Sequence, residues 1–265
     1  LSDMSLSDDP ALPRKWVFGP EEQLEAGQYR VLGADSQLPA SASNLGFGFN
    51  ASGETVYLFA SAGEASRLID SLAFGLQLPG WSVARIEPDG SWALAQPTRG
   101  GANIAAALGD PARLRINEWM ARPLAGDDWF EIYNPEPRPV ALGGLHLSDD
   151  PSRRDMSTIP PLSFIGAGDY RVFQADDHPE NGADHVAFKL SAEGDLIGLY
   201  SAELRQIDAI EFAAQTAGIS QGRLPDGSDT IAFFTLHPSP AAPNASDSPG
   251  LDLDMDGLPD SWEIA

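Results

Sequence analysis

The 265-residue chain reads as all-β and built twice, each half a sandwich or a barrel, and three observations point that way. The pentapeptide Leu6-Ser7-Asp8-Asp9-Pro10 returns 141 positions later as Leu147-Ser148-Asp149-Asp150-Pro151. The same offset aligns Ala26-Gly27-Gln28-Tyr29-Arg30-Val31 with Ala167-Gly168-Asp169-Tyr170-Arg171-Val172, which is what duplication leaves in a sequence. Short apolar segments alternate with period two, as in Thr55-Val56-Tyr57-Leu58-Phe59, and clusters of Gly, Pro, Asp and Ser break them every ten residues or so. Sustained helical periodicity is missing, apart from one turn's worth near Asn103 to Leu108.

Taken in order, residues 1–103 form the first copy, and it enters the repeat midway: Leu1 to Leu6 align with Leu142 to Leu147. Phe47 then meets Phe188, Gly53 meets Gly194, and Val56 and Leu58 meet Ile197 and Leu199. The register slips by three, so Ile69-Asp70 matches Ile207-Asp208, Leu72 and Phe74 match Ile210 and Phe212, and Arg85 matches Arg223. The turns Pro88-Asp89-Gly90-Ser91 and Pro225-Asp226-Gly227-Ser228 answer each other, with Pro presetting φ and Gly accepting a positive one. Asn103 and Asn244 close the copies. Residues 104–111 read as a linker, 112–244 as a complete copy, and 245–265 as a second linker with an acidic loop.

The complete copy opens with two strands that the first lacks, around Arg113-Leu114-Arg115-Ile116-Asn117-Glu118 and Trp129-Phe130-Glu131-Ile132-Tyr133-Asn134-Pro135. A sandwich without them exposes an edge and part of its core unless another segment fills the gap. The N-terminal LSDMSLSDDP has neither a basic n-region nor an apolar h-region. The expectation is that the chain begins and ends inside a longer polypeptide and that any signal peptide lies outside it.

The ordered series Ile116-Asn117-Glu118, Phe130 to Asn134, Leu142-Gly143-Gly144-Leu145-His146-Leu147-Ser148-Asp149, Gly168-Asp169-Tyr170, Ile207-Asp208 and Arg223-Leu224-Pro225-Asp226-Gly227 resembles the lamin-tail domain. The resemblance covers about residues 112–244, with a truncated second copy over 1–103. It implies two immunoglobulin-like β-sandwiches in tandem, with no catalytic residues of their own. It also implies a bacterial setting in large secreted or cell-surface proteins, some of them attached to nucleases or phosphatases.

The C-terminal Asp252-Leu253-Asp254-Met255-Asp256-Gly257-Leu258-Pro259-Asp260-Ser261-Trp262-Glu263 fits a 12-residue calcium loop. Calcium takes six to eight hard oxygens, and a tightly curled loop turns alternate positions inward. Asp252, Asp254 and Asp256 supply carboxylates, Leu258 a backbone carbonyl, Asp260 a direct or water-bridged ligand and Glu263 both of its oxygens. The segment ahead of it is rich in Pro and Ser rather than helical, so the loop is unlike a paired EF-hand. It resembles the acidic repeats of the thrombospondin type-3 and dockerin kind, which implies Ca2+ and an extracellular setting.

Charge narrows the partners. With 16 Lys and Arg against 39 Asp and Glu the net charge is −23, which repels phosphate backbones and anionic lipid. Neither nucleic acid nor membrane insertion is expected; calcium and another protein or cell-surface component are. The absence of Cys removes disulfides without naming a compartment.

Several chemical motifs compete with this reading. Gly218-Ile219-Ser220-Gln221-Gly222 fits the G-x-S-x-G nucleophile elbow, but Pro225-Asp226-Gly227 follows where a helix is required. Asp176, Asp177, His178, Asp184 and His185 have metal-ligand side chains and read as a solvated acidic loop. Asp70 and Asp208 share a face with apolar neighbours, so each is expected to accept backbone hydrogen bonds, and Glu131 and Asn134 read as structural too. Trp81, Trp92, Trp119 and Trp129 read as core or turn packing. The function expected is a non-catalytic extracellular structural, adhesive or interaction module; the alternative is the accessory region of a larger secreted hydrolase.

Overall fold

The computed structural model describes residues 1–62 and 65–246. In chain order its strands are β1 (Ser5–Ser7), β2 (Trp16–Val17), β3 (Glu54–Ala62), β4 (Ala65–Phe74), β5 (Ser82–Ile86), β6 (Ser91–Gln96), β7 (Ile104–Ala105), β8 (Arg115–Met120) and β9 (Asp128–Tyr133). They continue with β10 (Val140–Ala141), β11 (His146–Ser148), β12 (Ser157–Thr158), β13 (Phe164–Ile165), β14 (Tyr170–Ala175), β15 (Gly194–Tyr200), β16 (Gln206–Ala213), β17 (Ser220–Arg223) and β18 (Ile231–Phe234). Among the described residues there is no α-helix, only two short 3-10 turns, and hence no helix long and apolar enough to cross a membrane. The all-β class is therefore as the alternating pattern requires.

The chain divides into two compact units. Among the described residues, the first contains 1–109 with 138–145 and 158–166; the second contains 110–137, 146–157 and 167–246. Residues 104–106, read as linker from sequence, continue a sheet: Ile104 pairs with Gln96 on β6, and the Ala106 N–H donates to the Leu94 carbonyl at 2.8 Å.

In the second unit, β14-β9-β8-β17-β18 form a five-stranded antiparallel sheet, and β12-β11-β15-β16 form a four-stranded one. Trp119 on β8 packs on Phe212 of β16 with ring centroids 6.0 Å apart, so apolar side chains of the two sheets meet. Ile116, Phe130, Ile132, Phe173, Ile197 and Leu199 are fully buried. Phe130 lies stacked between Phe173 at 5.6 Å and Phe188 at 6.1 Å. A bulge between Ile116 and Glu118 interrupts the β8–β9 ladder and turns Asn117 out of the alternation.

The first unit has a four-stranded sheet in the order β2-β1-β3-β4, a three-stranded sheet β5-β6-β7 and the ribbon β10-β13. The four-stranded order repeats that of the second unit strand for strand, and β1 and β11 occupy aligned residues. Gly53 and Gly194 open the aligned strands β3 and β15 at φ 120° and 118°, which a side chain rarely adopts. Outside the sheets, Gly33 and Asn44 make an isolated parallel bridge, as do Gln174 and His185, both 141 positions on. Its core is split. One cluster gathers Trp16, Phe18, Leu45 and Phe47. The other gathers Leu78, Leu94 and Phe164, and the Phe164 N–H donates to the Leu76 carbonyl at 2.9 Å.

Truncating Phe130 to Ala removes a ring with no solvent exposure, and urea unfolding of the second unit should lose about 3–5 kcal/mol. Leu124→Ala, at a side chain 83% exposed, should change the same transition by no more than about 0.5 kcal/mol.

Candidate functional site

The outer face of the five-stranded sheet carries a group of chemistry-bearing side chains, most of it covered. Glu118 and Glu131, on neighbouring β8 and β9, are fully buried. The segment after β18 crosses above them and supplies the donors that burial demands. The Ser239 N–H donates to both Glu118 oxygens at 3.1 Å, and the Ala241 N–H donates to Glu131 Oε2 at 2.9 Å. Asn117, projected by the bulge, donates through Nδ2 to Glu131 Oε1 at 2.9 Å and to Asp226 Oδ1 at 3.0 Å, while its Oδ1 accepts the Gly227 N–H at 3.0 Å. Asp226 also accepts the Tyr170 hydroxyl at 2.7 Å and the Asn244 N–H at 3.0 Å.

Two fully buried carboxyl groups on neighbouring strands lose hydration that favours their charged forms. Burial raises Glu118, against the hydrogen bonds from Ser220 and Ser239. Burial pushes Glu131 up to about 8, with the charges of Glu118 and Asp226 adding to it and the bonds from Asn117 and Ala241 opposing it. Tyr170 is pushed up by burial and by the Asp226 carboxylate that accepts its proton.

Ser220 falls inside this network. It is fully buried at the start of β17 and its hydroxyl donates to Glu118 Oε1, so the G-x-S-x-G match is a strand that ends in a turn. Asn134 is buried, and its Oδ1 accepts the Glu136 N–H at 2.9 Å.

A second device joins the two sheets of this unit. Asp208 on β16 accepts the Ile116 N–H at 2.9 Å, and Arg223 Nε donates to the Ile116 carbonyl at 2.8 Å. The two side chains pair at 3.1 Å, so one ion pair grips both polar groups at the start of β8. Asp208 thus accepts a backbone hydrogen bond as expected. Its counterpart Asp70 also accepts a backbone N–H, that of the adjacent Ser71 at 2.9 Å, and pairs with Arg85 at 2.8 Å, but unlike Asp208 it is 47% exposed.

Asp176 also differs from the sequence reading of a solvated loop. It is 5% exposed, accepts the His178 N–H at 3.0 Å and lies 2.7 Å from His185 Nδ1. The aligned residues in the first unit, Asp35 and Asn44, also meet, but through the Asp35 backbone N–H, which donates to Asn44 Oδ1 at 3.1 Å. Among the described residues no group of three or more His, Asp or Glu side chains could hold a metal ion. The predicted calcium ligands Asp252, Asp254, Asp256, Leu258, Asp260 and Glu263 lie outside the described residues.

Of the tryptophans, Trp119 and Trp129 are buried as expected, whereas Trp81 is 36% exposed and lines a cavity in the first unit. Sequence reasoning missed the grouping of Glu118, Asp226 and Ser239. Asn117, the added residue of the bulge, was the available sign of it.

This architecture and its buried network define an immunoglobulin-like β-sandwich whose polar interior is spent on holding the chain together. Residues 109–214 match the family model of the Lamin Tail Domain. No curated protein and no solved structure matches the chain.

Glu131 yields a signed pH dependence. Between its ordinary value of 4.5 and about 8 the folded chain retains a proton that the unfolded chain has lost, so this group's contribution to stability falls as pH rises through that window. Glu131→Gln sets an amide NH2 against one of two N–H donors, and it should lower the melting temperature at every pH. Thermal melts from pH 5 to 8 should nevertheless show a flatter slope for E131Q than for the parent.

Proposed function

We propose that the chain is a non-catalytic extracellular module for structure, adhesion or interaction. On this reading residues 1–103 and 112–244 are two lamin-tail-type sandwiches, the first without its opening strands. A calcium-binding connector follows at Asp252, Asp254, Asp256, Leu258, Asp260 and Glu263.

The observation that carries the proposal is the fate of the reactive groups. Glu118, Glu131 and Ser220 are the residues an enzyme of this composition would use, and each is buried and hydrogen-bonded to its own scaffold. General acid–base work needs a group within hydrogen-bond reach of a substrate, and these groups bond to neighbouring strands and to the segment that covers them. Burial instead makes them an anchor: the outgoing chain at Ser239 and Ala241 is fastened to the sheet ahead of the acidic segment that starts at Asp252. A fastened segment followed by a cation-stiffened loop suits a spacer that holds neighbouring domains in place.

The tandem reading is supported by the shared order of the four-stranded sheets and by recurring side-chain bonds. Asn103 Nδ2 donates to the Arg85 carbonyl at 2.9 Å, as Asn244 Nδ2 does to the Arg223 carbonyl at 2.9 Å. The extracellular setting is supported by the calcium template and a net charge of −23.

Calorimetric titration should give a calcium dissociation constant of about 10⁻⁴–10⁻³ M, the range of extracellular modules. Calcium should also protect residues 252–263 from proteolysis, and the double variant Asp254→Asn, Asp256→Asn should lose both effects. Absence of heat and of protection in the parent would remove the connector.

A further inference from the structure

The loop between β14 and β15 gathers reactive side chains that the buried network does not use. Asn181-Gly182 is the one Asn-Gly step in the sequence. Asn181 is exposed at the end of the short 3-10 turn Pro179–Asn181, and its Nδ2 lies 3.5 Å from Asp176 Oδ2, too far to hold the amide firmly. By contrast Asn44, Asn117, Asn134 and Asn244 are buried.

The chain folds back onto this step. The His185 N–H donates to the Gly182 carbonyl at 3.2 Å, and Gln174 clamps the segment on either side, bonding the Asp184 carbonyl at 2.8 Å and the Val186 N–H at 2.9 Å. The imidazole therefore stands beside Gly182: a Cβ placed there would lie 3.9 Å from His185 Nε2 and 2.8 Å from Asp184 Oδ1. The other ring nitrogen, Nδ1, is 2.7 Å from Asp176 Oδ2. Burial works against the charge on Asp176, but the bonds from His185 and the His178 N–H prevail and hold its carboxyl below the ordinary value. An ionised carboxylate only accepts, so Nδ1 carries the proton, and in the neutral ring Nε2 keeps a lone pair on the Gly182 side.

The fold does not require this histidine. In the stretch 141 positions earlier, the same parallel bridge forms between Gly33 and Asn44, with Asn44 in the place of His185 and Ala40-Ser41 in the place of Asn181-Gly182. An amide suffices to shape that loop, through its bond from the Asp35 N–H. A histidine set against an Asn-Gly step belongs to the second unit alone.

We infer that Asn181-Gly182 is a self-modification site at which His185 serves as the base. His185 Nε2 takes the proton of the Gly182 N–H as that nitrogen attacks Asn181 Cγ. The new N–Cγ bond closes a five-membered succinimide, the Cγ–Nδ2 bond breaks, and the proton leaves with Nδ2 as ammonia. Water then adds to either imide carbonyl and opens the ring, giving aspartate or isoaspartate at 181. Glycine suits the step, because it has no side chain to obstruct the attacking nitrogen. The isoaspartyl product carries an added methylene in the main chain, and the loss of ammonia makes the change one-way. The inference is independent of the interaction role proposed above.

The test incubates the full chain at neutral pH and follows the mass gain of an amide becoming an acid, with peptide mapping that separates aspartyl from isoaspartyl 181. A synthetic peptide of residues 174–187 gives the rate without the fold. A positioned base contributes roughly 10²–10⁴ in rate, so the folded chain should react about tenfold faster than the peptide or more. His185→Asn, which installs the side chain found at that place in the first unit, should react no faster than the peptide, and added imidazole should restore part of the rate. Gly182→Ala should suppress conversion. A folded chain no faster than the peptide overturns the inference, and this comparison decides even where H185N fails to fold. Conversion at the parent's rate in H185N overturns it too. Faster conversion in H185N would mean that the histidine only restrains the loop, and also overturns it.

Discussion

The pair Asp208–Arg223 does in the second unit what a hydrogen-bonded ladder cannot. β8 and β16 belong to different sheets, yet the Ile116 N–H and carbonyl at the entry to β8 still need partners in a dry interior. One carboxylate and one guanidinium supply both, and they offset each other's charge while doing so. Lysine would not substitute, because a point charge lacks the planar fork with which Arg223 reaches Ile116, Asp208 and the Ser228 carbonyl together. With β8 fixed, Trp119 meets Phe212 and the apolar layer closes.

The opposite face of the same strand shows what a fixed position costs. Glu118 and Glu131 are carried to the outer side by the alternation of β8 and β9, which would ordinarily put them in water. The segment through Ser239 and Ala241 covers them instead, exchanging hydration for backbone N–H donors. Burial raises both acids, and Glu131, pushed up to about 8 by burial and by the charges of Glu118 and Asp226, holds its part of this anchor as a neutral carboxyl group near neutral pH. The Asn117 bulge belongs to this arrangement, because only an extra residue places an amide between Glu131 and Asp226.

The two units make a comparison inside one chain. The first shares with the second an ion pair, a Pro-Asp-Gly-Ser turn, a closing Asn and the order of a four-stranded sheet. Its apolar side chains divide into two clusters, with a cavity lined by Leu6, Leu58 and Val83 from their margins. The residues aligned with β14, Tyr29 to Ala34, form no strand.

Much of this was legible from residues alone. Period-two alternation and turn chemistry determine strand against helix locally, so the all-β class followed, and the repeat offset located aligned strands to within a residue or two. The likeness of 116–227 to a lamin-tail domain was written in ordered short motifs, and the match over 109–214 agrees with it. Tertiary structure alone decided which polar residues are dry. Asp70 and Asp208 have the same local sequence pattern, yet one side chain is 47% exposed and the other 13%, because exposure depends on a strand distant in sequence. For the same reason Asp176 reads from sequence as a solvated acid, although the surrounding loop buries it. Local sequence determines backbone geometry through short-range sterics, whereas solvation, and with it acidity and reactivity, is set by whatever the rest of the chain brings on top.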